Sequence, residues 1–216
     1  MISSIIALIP TLISLVVCVI FYNRLEPKYL RLFTWFLLFT ILIQIAGYTY
    51  SIYFKKSNHF IFNIDLLVQY LFYFLIFYNT FETKSLKLLT LFGSIVFTLY
   101  AFFNFFYKNS FFIYSSATNT LGSILTILFC LLYFASLFKF EASINYFKIP
   151  MFWIATGLLF FFVGEFIYLS FIDYIIAHNI DKEGNIYSFI IVTLNLLLFS
   201  FLSIGLLSNQ PWKKRR

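Results

Sequence analysis

Charge is the scarcest commodity in this chain: Asp, Glu, Lys and Arg make up 11% of its 216 residues, against roughly a quarter in an average soluble domain. With 62% hydrophobic residues, there is more apolar surface than a water-soluble fold can hide. Cysteine is nearly absent. Cys18 and Cys130 both fall inside long apolar runs, without a CxxC spacing or a nearby histidine, which excludes a disulfide framework and a thiolate metal site. Histidine is limited to His59 and His178, in no recognised ligand spacing, so no metal is expected. Long loops are missing too. The loop from His178 to Asn185 has fewer than ten residues and the connection over residues 139–148 has ten, so any kinase, cyclase or ATPase activity would have to come from a partner.

What remains is a series of apolar segments. A helix needs roughly 20 mainly apolar residues to cross about 30 Å of hydrocarbon. Seven stretches qualify: residues 2–21, 29–54, 60–81, 86–107, 111–138, 149–177 and 186–207. The expected fold is therefore all-α, a polytopic membrane bundle forming a single seven-helix domain over residues 1–216. The first stretch lacks a basic n-region and a small-residue cleavage site before Asn23 and Arg24, and so reads as a span and not as a signal peptide.

Lys and Arg are retained on the cytoplasmic side during insertion, so their distribution sets orientation. Eleven lie on one side (Arg24, Lys28, Arg31, Lys84, Lys87, Lys139, Lys148, Lys213, Lys214, Arg215, Arg216) and four on the other (Lys55, Lys56, Lys108, Lys182). The N-terminus is expected outside and the C-terminus in the cytoplasm. Trp35, Trp153 and Trp212 fall near the cytoplasmic interface, and Tyr50, Tyr53, Tyr107, Tyr114, Tyr174 and Tyr187 mark the opposite belt. The net charge of +7 comes mostly from cytoplasmic loops and the Lys213 to Arg216 tail, which points to anionic membrane lipid and not to nucleic acid.

Polar residues inside the spans are costly, which makes each a candidate for function or for tying helices together. Two are acids. Asp65 lies about 8 Å into the third span, with Gln69 and Tyr73 following at four-residue spacing on the same face. Glu165 lies in the outer half of the sixth span beside Gly164. Gln44, Asn119 and Asn195 reach similar depths, roughly 9 to 15 Å below the outer surface. Asn63, Asn104, Thr118 and Thr120 lie nearby in depth, whereas the inner half offers mainly hydroxyls such as Ser14, Thr40, Thr156 and Ser203. An outward-facing ligand pocket formed by Asp65, Gln69, Glu165, Gln44, Asn119 and Asn195 would account for this asymmetry. Converging acids would hold a proton between them, suiting a cation, a proton-linked step or a hydroxyl-bearing ligand.

Two enzyme-like chemistries fail on residue type. The stretch Ile186 to Leu207 contains no lysine for a retinal Schiff base. Seven-span hydrolases resembling alkaline ceramidases need several histidines with Asp and Ser for zinc, and this chain has two histidines, both interfacial. Membrane lysoplasmalogenases are similar in size, but their motifs find no match around Asp65 or Glu165.

Three segments carry a resemblance: His59-Phe-Ile-Phe-Asn63 leading into Gln69-Tyr-Leu-Phe-Tyr-Phe, then Asn119-Thr-Leu-Gly-Ser123, then Phe152 to Gly164. Together they resemble a family of small seven-span integral membrane proteins common in Bacteroidetes, itself without an assigned activity. The resemblance implies placement in the bacterial inner membrane and work beside a histidine kinase or other signalling partner. It supplies no catalytic or binding residue.

These observations favour a non-enzyme without cofactor: a sensory or accessory subunit that takes a ligand from outside and couples to a cytoplasmic or membrane protein partner. Three other readings stay open. One is a transporter or a pore built by a homo-oligomer, including a membrane effector of a defence system, although no inverted repeat or paired broken helices are visible. The others are an intramembrane lipid-modifying enzyme and a structural subunit of a larger complex.

Overall fold

A computed structural model describes residues 2–108, 111–139, 145–178, 181 and 185–208, and the side chains of all of these except 2–7, 108, 172–173, 176–177 and 187. The sequence-based assignments to Lys182, Trp212, Lys213, Lys214, Arg215 and Arg216, and those to the side chains of Lys108 and Tyr187, fall outside the described residues.

Long runs of Phe, Leu and Ile without water to bond the backbone favour structures that satisfy every N–H and C=O within the segment, and helices do so. Among the described residues there are seven α-helices and no strand: α1 (Ile2–Phe21), α2 (Leu32–Phe54), α3 (His59–Thr80), α4 (Lys84–Phe103), α5 (Ser116–Leu137), α6 (Pro150–Ala177) and α7 (Asn185–Leu207). Six of them, α2 to α7, are long and apolar enough to cross a membrane. The expected seven-helix order is found, and the crossing length is shown for six. α1 adds an apolar helix with Pro10 inside it.

Three boundaries differ from the apolar runs, each for a local reason. The second run opens as a 3-10 turn, Lys28–Arg31, behind Pro27, and becomes α-helical only at Leu32. α4 gives way at Asn104 to a π-helical turn, Asn104–Lys108, which opens on the residue that bonds Ser115 and Thr118. The fifth run begins not at Phe111 but at Ser116, because the backbone of residues 111–115 is bonded to Asn63.

The chain divides into two compact units. A central unit holds residues 35–129, and a terminal unit holds residues 1–34 with 130–216, so the divisions fall within α2 and α5. In the central unit, α3, the end of α4 and the first half of α5 pack through aromatic rings. Phe74 meets Phe97 and Phe129 edge-on at 5.5 and 5.3 Å, and Tyr70 meets Phe97 at 5.2 Å. Such geometry places the positive ring edge on the negative face, worth about 0.5–1.5 kcal/mol per pair beyond contact area. In the terminal unit, α6 and α7 run antiparallel: Gly157 packs on Leu198 and Phe201, Gly164 on Leu194, and Gly205 on Pro150. α1 joins them through Ser14, whose hydroxyl donates to the Phe199 carbonyl at 2.9 Å and lies 2.9 Å from Ser203.

Gly122 shows how close α3 and α5 approach. A Cβ there would stand 2.5 Å from the Tyr70 ring. Gly122→Ala should therefore destabilise the fold by about 1–3 kcal/mol through overpacking. Thermal unfolding in detergent should show the loss, and the Gly122→Ala penalty should be smaller when measured in a Tyr70→Leu background, where the ring that it meets is gone.

Candidate ligand-binding site on the third helix

α3 carries polar residues on two faces. Asn63 and Tyr70, seven residues apart, lie on the face packed against α4 and α5, together with Phe74 and Phe77. Asp65, Gln69 and Tyr73 follow four-residue spacing on the face toward α2, where Phe36 stacks on Phe72 at 4.0 Å and meets Tyr73 edge-on at 5.5 Å.

The first face is closed by internal hydrogen bonds. The Asn63 amide nitrogen donates to the Phe111 and Ile113 carbonyls at 2.8 and 2.9 Å, and its oxygen accepts from the Ser115 N–H at 3.2 Å. One buried side chain thus bonds three points of the approach to α5. The Asn104 amide nitrogen donates to Ser115 Oγ at 2.6 Å and Thr118 Oγ1 at 3.0 Å. Deeper in, the Tyr70 hydroxyl lies 2.6 Å from Asn119 Oδ1 and 2.8 Å from Ser123 Oγ. Asn119, expected in the pocket, is buried here and engaged across α3 and α5. Thr120 bonds its own helix through the Ser116 carbonyl.

The second face is different. Asp65 Oδ1 is buried and has no hydrogen-bond partner among the described residues; in the central unit it is the one buried side-chain oxygen or nitrogen in that condition. No Lys or Arg occurs in α2, α3 or α5, so these helices offer no counter-charge. Gln69 is half-buried with its amide nitrogen 3.5 Å from the Tyr73 hydroxyl, a long contact. Gln44 lies at the same depth by register. α2 and α3 run antiparallel, with Phe36 on Phe72 and Gly47 on Phe62. Gln44, three residues before Gly47, therefore falls level with Asp65, three residues after Phe62.

Glu165 and Asn195 belong to the terminal unit. They are level with each other, since their neighbours Gly164 and Leu194 pack together, and both are half-buried. The Asn195 amide nitrogen donates to the Ile191 carbonyl of its own helix at 2.9 Å. The six sequence candidates thus separate into Gln44, Asp65, Gln69 and Asn119 in the central unit and Glu165 and Asn195 in the terminal one. Among the described residues, no three His, Cys, Asp or Glu side chains are grouped to hold a metal ion.

The sequence reading did not single out Tyr70, Ser115 or Ser123 as partners of the deep amides. The four-residue spacing of Asn119 and Ser123 was a usable signal, because it puts both on one face of α5 beside Gly122. No family model matches the chain, nor does any curated protein by sequence or any solved structure. The family resemblance rests on its three segments alone.

Asn63→Ala would leave two carbonyls and one N–H at residues 111–115 without their partner. A loss of about 1–3 kcal/mol is expected, with faster hydrogen exchange at the Ser115 amide. Unchanged exchange at Ser115 would show that the loop is held by other contacts.

Proposed function

We propose that this protein is a multi-pass protein of the bacterial inner membrane, N-terminus outside and C-terminus in the cytoplasm, serving as a sensory or accessory subunit. A ligand enters from the outer side, contacts Asp65 and Gln69 of α3 and Gln44 of α2, and shifts helix packing that a protein partner reads. Placement in the seven-span family suggested by the sequence belongs to the same proposal.

The observation that carries this reading is the contrast between the two faces of α3. Asn63, Asn104, Asn119 and Tyr70 are paired within the bundle, as residues that only tie helices together must be. Asp65 Oδ1 is not. A buried carboxyl oxygen without a hydrogen-bond partner carries the desolvation cost of that group whether the acid is charged or protonated. A ligand that brings a positive charge or a hydrogen-bond donor would supply the missing partner. Amide groups such as Gln44 and Gln69 can both donate and accept, which suits orientation of a hydroxyl-bearing or ammonium-bearing molecule.

Cysteine accessibility tests the reading directly. Cys18 and Cys130 are buried, which keeps the background low. Asp65→Cys and Gln69→Cys should react with a membrane-impermeant thiol reagent added from outside, and Phe74→Cys, on the closed face, should not. Lack of reaction at both 65 and 69 would end the proposal of an outward-facing site.

A further inference from the structure

Two Phe-Lys pairs bracket the connection between α5 and α6: Phe138-Lys139 after the end of α5 and Phe147-Lys148 just before Pro150. All four side chains are exposed, the rings at 60% and 63%. The fold brings the residue that precedes the second pair onto the ring of the first. Tyr146 meets Phe138 edge-on at 5.6 Å, while Phe147 packs beside Trp153 at 5.7 Å. The 3-10 turn Tyr146–Lys148 is fixed from both sides, since Asn145 Oδ1 accepts from the Phe147 N–H at 3.2 Å and Trp153 Nε1 donates to the Phe147 carbonyl at 2.9 Å. Phe147 is therefore held outward by its backbone and is not left over from core packing.

Charge is arranged to match. The connection from α1 to α2 belongs to the same unit and carries Arg24, Lys28 and Arg31, and its Tyr29 lies near Tyr133, one turn before the end of α5. Facing these basic groups in sequence are Glu26 and, outside the described residues, Glu141. At the other end of α6 and α7 the balance reverses, with Asp173, Asp181 and Glu183 against Lys182. Arg31 is already occupied: it donates to the Leu25 and Asn23 carbonyls and lies over the Tyr22 ring. Lys139 and Lys148 extend from exposed positions beside exposed rings.

We propose that this platform binds the headgroup of an anionic phospholipid, with Lys139 and Lys148 on the phosphate and Phe138 and Phe147 against the first carbons of the acyl chains. Long basic side chains reach the headgroup layer while aromatic rings occupy the boundary with hydrocarbon. A free phosphate would use the lysines alone and leave the outward rings without a role. A lipid uses both halves of each pair. This inference does not depend on the Asp65 site.

Trp153 sits within the platform and reports on it. The chain has three tryptophans, so Trp35→Phe with Trp212→Phe leaves one emitter. That variant of the full chain, placed in phosphatidylcholine vesicles, is titrated with brominated-chain phosphatidylglycerol, and separately with brominated-chain phosphatidylcholine. Each basic residue near an anionic surface strengthens association by a factor of about five. Phosphatidylglycerol should therefore compete for the Trp153 site about 5- to 25-fold better than phosphatidylcholine, and K139Q with K148Q should bring that ratio close to one. K55Q with K56Q, on the opposite membrane face in the sequence-based topology, should leave it unchanged. Equal quenching by the two lipids in the parent would overturn the proposal. So would a preference that survives K139Q with K148Q, or one that falls equally in K55Q with K56Q.

Discussion

Hydrocarbon offers no hydrogen bonds, so every polar group in an apolar bundle must find its partner inside the protein or carry the cost of having none. Most hydroxyls here solve this locally. Thr40, Thr80, Thr90, Ser94, Thr98, Thr156 and Thr193 each donate to the carbonyl four residues earlier in their own helix. These residues therefore add little to helix association. Groups with more hydrogen-bonding capacity, the amides of Asn63, Asn104 and Asn119 and the phenol of Tyr70, are the ones that cross between helices.

The same constraint separates scaffold from site. Asn63 and Asp65 are two residues apart on α3, at nearly the same depth, yet a two-residue step on a helix turns a side chain by about 200°. One side chain closes three hydrogen bonds with the loop before α5, and the other keeps a buried oxygen unpaired. Depth alone could not tell them apart. What distinguishes them is which neighbouring helix each one meets.

Packing follows from a composition of 33 phenylalanines and only 7 glycines. Without a hydrophobic force between helices in lipid, association depends on close contact, and here large rings fill the space above small residues. Tyr70 sits over Gly122, Phe129 over Gly93 and Phe62 over Gly47. A Phe-rich chain can thus bring helices together without the paired small residues that usually mark such interfaces. At the α5–α6 end the same residue type points outward, and there its neighbours are lysines instead of glycines.

The order, class and approximate extent of the helices were legible in the sequence because crossing length and apolar composition are properties of a single segment: α1, α3, α6 and α7 begin and end within a residue of their apolar runs. The later start of α5 was not legible, since it depends on Asn63, some fifty positions away, bonding the backbone that would otherwise have continued the helix. The candidate site was half legible. Sequence gave the spacing that aligns Asp65, Gln69 and Tyr73 and the depth they share with Gln44. It could not assign Asn119 to Tyr70, because a hydrogen bond between helices is decided by their relative rotation and register, and nothing in the sequence of either helix encodes those separately from the packing of both.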